Sequence, residues 1–448
     1  MNTKEFYKLL LENVKKGNIK NIKQFIDEGL DVHINNEYAL KLSSSNGNLD
    51  IVKLLVKDGA NIHIDDDYPL LYSAKNNHLD IVEYLLKKGA NIHADNDYVT
   101  VVAAFTKNLD LINILLKYGI NINFCLKINA QFDNFDIVKY LIQQGADPNT
   151  DNYYCLEISA YNNDLDMFEY LIKRVNNNNI KPILNNSLKI SSEKGYLDMV
   201  KYLVNKDADI HTDNDFPLRI SAENGFLDIV EYLVENGADI HAQEDYALRY
   251  ASINGHSDVV KFLKQNSKNN EDLYSLQNSA KNGHLSIVKY LLENSDNKKI
   301  DTQRALINSV EQSRLPLVKY LIKQGADIHY KNDLVLRKAV DYGNLYIVKY
   351  LIENGCNIHI DDDYPLRQSA LKGKLSIVKY LLKNGADIHA KNDYALKKSA
   401  EFGHLNVVKY LVENGANVNA GNNYALNKSY KKGYLNIANF LINNGADE

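Results

Sequence analysis

Residues Tyr364 to Asp393 read YPLRQSALKGKLSIVKYLLKNGADIHAKND. Numbered from its Tyr as position 1, the stretch carries Leu366, Ser369 and Ala370 at i, i+3, i+4, the stripe of a short helix with a small-residue face. Gly373 stops that helix. Leu375, Ile377, Val378, Leu381 and Leu382 then form a wider apolar stripe at the same period, which predicts a second helix. Gly385 caps it, because glycine reaches the left-handed conformation at little cost. An extended Asp387 to Ala390 and a polar Lys391-Asn392-Asp393 turn lead into the next unit.

The same pattern fills the chain. Its position-12 residue recurs at Ile19, Leu49, Leu79, Leu109, Phe135, Leu165, Leu197 and Leu227. It continues at Ser257, Leu285, Leu315, Leu345, Leu375, Leu405 and Leu435, with 30 residues between neighbours in eleven of fourteen steps. Two helices of eight or nine residues cannot bury their apolar stripes alone, whereas stacked copies can. The expected fold is therefore an all-α helical solenoid of about fifteen units, a single array over residues 1–448. Four segments break the period, near 120–135, 174–183, 265–273 and 295–303. They divide the array into blocks near 1–124, 125–268 and 269–448. The two ends, 1–37 and 424–448, depart from the pattern as solenoid caps do.

These residues resemble the ankyrin repeat. The family landmarks are met by Tyr68-Pro69-Leu70, Ser73-Ala74, Gly403-His404-Leu405, Val407-Val408, Leu411-Val412 and Gly415 to Asn419. The family unit has about 33 residues, and the three missing here fall where family members build a β-hairpin finger, so short fingers are expected. Shortened, Asn-, Lys- and Tyr-rich arrays of this kind resemble those encoded by giant DNA viruses of amoebae. That resemblance implies a viral protein acting in the host cytoplasm.

Composition narrows the function classes. The chain is 45% hydrophobic and 24% charged with a net charge of −5, values of an ordered, soluble protein without a global basic field. Three Cys suit a reducing, intracellular compartment, and neither a signal peptide nor a membrane span is read. Absent Trp, scarce Pro and abundant Asn, Ile and Lys mark an AT-rich genome.

The reactive side chains are absorbed by the repeat. His33, His63, His93, His211, His241, His329, His359 and His389 occupy position 26, and His78, His256, His284 and His404 occupy position 11. Neighbours in one row stand a repeat apart, about 8–10 Å, too far to share a metal. Each His is expected instead to bond the backbone of an adjacent unit. Cys125, Cys155 and Cys356 fall in small-residue slots and read as buried thiols. No phosphate-binding glycine motif and no catalytic triad is found, so neither enzyme activity nor a cofactor is expected.

What remains is a binding surface. In the family, positions 1, 4, 5 and 8 of the first helix line the concave face. Position 1 holds Tyr38, Tyr68, Tyr98, Tyr154, Tyr246, Tyr364, Tyr394 and Tyr424, which either pack or offer an aromatic ladder to a partner. Positions 4 and 5 turn from apolar to basic along the chain, with Arg249, Arg337, Lys338, Arg367, Lys397, Lys398 and Lys428. The plainer reading of these cations is self-compensation through i, i+4 pairs, Arg219 with Glu223, Arg337 with Asp341 and Lys397 with Glu401, and of Lys261 to Lys409 at position 16 through Glu293, Glu353 and Glu413. The leading expectation is a monomeric, non-enzymatic scaffold for an unidentified protein partner. Nucleic acid or another acidic ligand along the basic stripe is the alternative, and a ubiquitin-ligase adaptor stands below both.

Overall fold

The computed structural model describes residues 3–175, 180–267, 273–295 and 298–447. Among them are thirty α-helices and no strand, from α1 (Thr3–Lys15) to α30 (Leu435–Asn443). Contacts divide the chain into two compact units, Met1–Ile210 with seven helix pairs and His211–Glu448 with eight. Within each unit, first helices stack on first helices and each is backed by its own second helix.

The quoted stretch shows how one pair is made. The apolar stripes are the core: Leu366, Ser369 and Ala370 of α25 (Ile360–Leu371) and Ile377, Val378 and Leu381 of α26 (Leu375–Lys383) are buried. Pro365 is accommodated because it stands in the first right-handed turn, where its missing N–H has no helical partner. After α26 the chain reverses at Gly385 (φ +94°), with Ala386 N–H donating to the Leu381 carbonyl at 3.1 Å and Gly385 N–H to Leu382 at 3.1 Å. These are the two bonds of a Schellman cap.

The segment after the cap differs from expectation. Asp387 to Ala390 is not extended: Asp387 Oδ1 accepts the His389 N–H at 2.9 Å, folding the chain into a turn. Lys391, Asn392 and Asp393 then take three consecutive left-handed conformations (φ 52°, 58° and 53°) before α27 (Ala390–Glu401) continues right-handed. The finger is one left-handed turn in place of a hairpin. Ten units repeat it, at 35–37, 65–67, 95–97, 151–153, 213–215, 243–245, 331–333, 361–363, 391–393 and 421–423. Asn and Asp dominate these slots because they tolerate this region best among residues with a side chain.

Left-handed residues cost roughly 1–2 kcal/mol each, so something must hold the turn. Asp393, at position 30, is buried. It accepts Nδ1–H of His389 at 3.1 Å and the backbone N–H of Asn417, one unit on, at 2.9 Å. Glu37, Asp67, Asp215, Asp333 and Asp363 make the same two bonds. Each carboxylate thus closes its own turn and ties it to the next unit. Position 30 was not singled out by sequence reasoning, although its recurring acid was the available signal.

Among the described residues, three first helices at the irregular segments lack the left-handed turn: α9 (Ile122–Gln131), α13 (Lys181–Lys194) and α21 (Lys298–Glu311). Residues 176–179, 268–272 and 296–297 of those segments lie outside the described residues. In α9, α13 and α21 an amide replaces the acid: Asn123, Asn185 and Gln303 each accept a backbone N–H 24 residues on, at 2.7–2.8 Å.

One inter-unit contact carries a pH dependence. Asp164 caps α12 (Leu165–Ile172) through the Met167 N–H, yet its carboxyl is pushed up to about 6 by burial and by the hydrogen-bonded Asp133 carboxyl of the preceding pair. Two units earlier, Asn108 donates to Asn77 at 2.6 Å instead. A folded-state value above the ordinary one near 3.9 means that this group's contribution is fully present below about pH 4 and is lost as pH rises through 6. Asp164→Asn is therefore expected to stabilise Met1–Ile210 at pH 7 by about 1 kcal/mol after allowance for solvent screening. Urea denaturation of both forms at pH 4 and pH 7 checks this, and an equal difference at both pH values would contradict it.

Candidate partner-binding face

The first-helix face is built from positions 1, 4, 5 and 8. In Met1–Ile210, Tyr38 and Tyr98 are exposed, and Tyr68 stacks on Tyr72 with ring centroids 3.8 Å apart. Lys41 Nζ lies 5.6 Å from the Tyr68 centroid and 2.5 Å from Asp65, and Lys127 is set likewise over Tyr154 and against Asp151. A position-4 cation thus reaches over the position-1 ring of the following pair.

His211–Glu448 repeats that geometry more fully. The Arg219 guanidinium lies 4.9 Å from the Tyr246 ring, which stacks on Tyr250 at 4.0 Å. Arg367 lies 5.2 Å from Tyr394, while Lys398 sits between Tyr394 and Tyr424 at 5.7 and 5.5 Å and Lys428 stands 5.3 Å from Tyr424. These are cation–π distances. The rings are half-exposed, and three tyrosines of this row are fixed at the hydroxyl. Tyr246 donates to Glu223 at 2.8 Å, Tyr364 to Asp341 at 3.1 Å and Tyr424 to Glu401 at 2.9 Å. Burial, with the carboxylate beside it, pushes the Tyr246 and Tyr364 hydroxyls upward, so both stay protonated donors.

The cations do not pair as i, i+4 spacing predicts. Arg219 bonds the carbonyls of Asn214 and Asp213, Arg249 that of Gln243, Arg337 that of Lys331, and Arg367 those of Asp362 and Asp361 at 2.7 and 2.6 Å. Lys397 reaches the Lys391 carbonyl at 3.4 Å. The left-handed turn presents these carbonyls one turn before position 4, and they outcompete the carboxylate at position 8. Those carboxylates turn to other partners: Glu311 takes Lys338 of the next pair at 2.9 Å, and Glu401 takes Lys398 at 2.6 Å and Lys428 at 3.8 Å. The Lys398 hydrogen bond holds Glu401 below the usual carboxylate range, and Glu401 raises Lys398 in turn.

The second-helix row is also rearranged. Lys289, Lys319, Lys349, Lys379 and Lys409 make no ion pair with Glu293, Glu353 or Glu413. Each ammonium lies 5.2–5.8 Å from the position-17 ring of the next pair, Tyr320, Tyr350, Tyr380, Tyr410 or Phe440. Lys261 pairs instead with Asp258 at 3.3 Å.

The His rows divide by partner. At position 11, Nε2 of His78, His256, His284 and His404 donates to a carbonyl of the preceding pair at 2.8–3.0 Å, as expected. At position 26 the ring turns to the position-30 acid of its own unit, because that carboxylate is a stronger acceptor than a neutral carbonyl. No group of three or more His, Cys, Asp or Glu among the described residues is placed to hold a metal ion. Cys125, Cys155 and Cys356 are buried, and burial pushes each thiol up to about 12.

The model of the family described as ankyrin repeats in three copies matches this chain in overlapping segments: 10–96, 66–125, 100–182, 126–214, 156–244, 188–273, 248–332, 276–362 and 366–448. The chain belongs to the ankyrin-repeat family. Ankyrin repeats are, as a class, protein-interaction modules. No curated protein matches this ankyrin-repeat chain, and none of its described helices is long and apolar enough to cross a membrane.

Proposed function

We propose that this ankyrin-repeat protein is a non-enzymatic scaffold that holds a protein partner on its first-helix face. The observation that carries the reading is the row of half-exposed tyrosines in His211–Glu448, of which Tyr246, Tyr364 and Tyr424 are held by carboxylates, interleaved with cations at 4.9–5.7 Å. Tyr and Arg are the side chains that most often dominate binding energy at protein interfaces, and a ring already fixed loses little entropy on binding. Tyr364, Tyr394, Tyr424, Lys398 and Lys428 form the centre of this face, with Tyr246, Arg249, Arg337, Lys338, Arg367 and Lys397 beside them. Tyr38, Tyr68 and Tyr98 offer a second, less basic face on Met1–Ile210. The resemblance to arrays of giant viruses makes a host cytoplasmic protein the partner that this reading takes.

Affinity capture with the full chain and with the triple variant Tyr364→Ala/Tyr394→Ala/Tyr424→Ala tests it. Proteins retained by the full chain are expected to bind the variant at least tenfold more weakly, with circular dichroism unchanged. Equal retention would sink the proposal. Nucleic-acid binding has less in its favour, since Arg249, Arg337, Arg367 and Lys397 are engaged by carbonyls and Lys338, Lys398 and Lys428 by carboxylates. It predicts affinity falling steeply with salt.

A further inference from the structure

The α21 pair, one of those without a left-handed turn, has a cleft beside it. Its helix runs right-handed from Lys298, so Ile300, at position 27, points outward and is 55% exposed. At the same position Ile360 is 3% exposed and Ala94, Ala242, Ala390 and Ala420 are buried, Ile34 and Ile64 are half-buried, and Tyr330, one unit on, is exposed like Ile300. Ala326 is half-buried, whereas its counterparts Ala238, Ala386 and Ala416 are buried. The resulting cleft has a volume of about 410 Å³, within the range of ligand sites.

The walls of the cleft have a definite chemistry. Ile300, Ile307 and the exposed Tyr330 are its apolar lining, and Lys299 and Arg304 its cationic rim. Unlike the cations of the first-helix face, neither Lys299 nor Arg304 has a hydrogen-bond or ion-pair partner among the described residues. Gln303 fixes the floor by bonding the Asp327 backbone in both directions, at 2.8 and 3.0 Å. Two acids stand by the cleft: Asp327, in its lining, accepts the His329 N–H at 2.8 Å through Oδ1, and Asp301 accepts the Ser295 hydroxyl at 2.6 Å.

We propose that this cleft seats a segment of a protein partner in which a bulky apolar side chain stands beside a carboxylate. The apolar side chain would cover Ile300 and Ile307, and the carboxylate would engage Lys299 and Arg304. An exposed isoleucine beside two unpartnered cations matches that ligand in both shape and charge, whereas a bare phosphate chain would leave the apolar lining open. The inference rests on the reading of this chain as a protein-binding scaffold and deepens it.

Selection of a phage-displayed random dodecapeptide library against the full chain supplies the probe. The peptides selected are expected to share an apolar residue next to Asp or Glu. A synthetic representative should lose at least tenfold in affinity with Arg304→Glu and with Ile300→Asp, and keep it with Tyr394→Ala. Both cleft residues are exposed, so these variants are expected to melt like the parent chain. Selected peptides without an acid, a failed selection, or affinity unchanged by both cleft variants would overturn the proposal. A dimer in sedimentation that Ile300→Asp dissociates would assign the cleft to a second copy and overturn it, as would a polyuridine strand displaced only by Arg304→Glu. Capture that is lost in the tyrosine variant but intact in Arg304→Glu would overturn the cleft alone and leave the first-helix face standing.

Discussion

Asp363→Ala is expected to lower the unfolding free energy of His211–Glu448 by about 3 kcal/mol. The Asp363 side chain is buried and takes two hydrogen bonds, from His359 Nδ1 at 3.1 Å and from the Asp387 N–H at 2.9 Å. Alanine removes both and leaves the Asp387 N–H at the joint without an acceptor, on top of three left-handed residues that nothing then holds. The comparison that isolates the cause is Asp363→Asn. It keeps an oxygen for the N–H, as Asn123 and Asn185 do in pairs without the left-handed turn, and should retain more than half of the stability. Urea denaturation gives the totals, and hydrogen exchange at Asp387 gives the local effect. If exchange there were unchanged in Asp363→Ala, the assigned role of the carboxylate would be wrong.

The second large effect is expected at Gly373, where two demands coincide. Its φ is +69°, and a Cβ on it would lie 2.6 Å from Nδ1 of His404. The ring is pinned by its own bond to the Leu371 carbonyl at 2.9 Å, so it can move aside only by breaking that bond. Left-handed strain of roughly 1–2 kcal/mol and a lost hydrogen bond of about 1 kcal/mol together put Gly373→Ala at about 2–3 kcal/mol. Gly385→Ala is the control: its φ is +94° but a Cβ would meet nothing within 4 Å, leaving the conformational term alone. In a His404→Ala background, where that bond is already gone, Gly373→Ala should cost only the conformational part. Equal losses at the two glycines would show that His404 is not pressed against the turn.

These two sites mark where sequence reading succeeds and where it stops. The helices were legible because their cause is local: Leu366, Ala370, Ile377, Val378 and Leu381 recur at helical spacing and are the buried residues. Gly373 and Gly385 were legible as stops for the same reason. The left-handed turn was not, because the conformation of Lys391 to Asp393 is unfavourable by itself and is held by an N–H from the following unit, 24 residues beyond Asp393. The pairing of Arg337 failed in the same way: Asp341 stands at i+4, but Arg337 bonds the carbonyl of Lys331, which the left-handed turn presents. On the first-helix face, the tyrosines and later cations were found by position, while Lys41 and Lys127 were passed over and Arg219 was read only as a partner of Glu223. They share position 4 with Arg337 and Arg367, and that shared slot was the signal. The exposure of Ile300 was beyond reach, since it depends on a turn that the irregular segment omits.

The position-30 bond has a consequence for how such a chain can change in length. Because the acceptor lies in one unit and its donor N–H lies 24 residues downstream, the bond is cut by any boundary placed between them. A tandem duplication of any 30-residue window nonetheless restores it on both sides, since the copy brings a new acid for the unit after it and a new N–H for the acid before it. The ring–ammonium contacts between second helices, at nearly constant spacing, obey the same rule. Gain or loss of whole units then leaves every joint chemically identical, so the number of units can drift by recombination while each surviving joint keeps its strength.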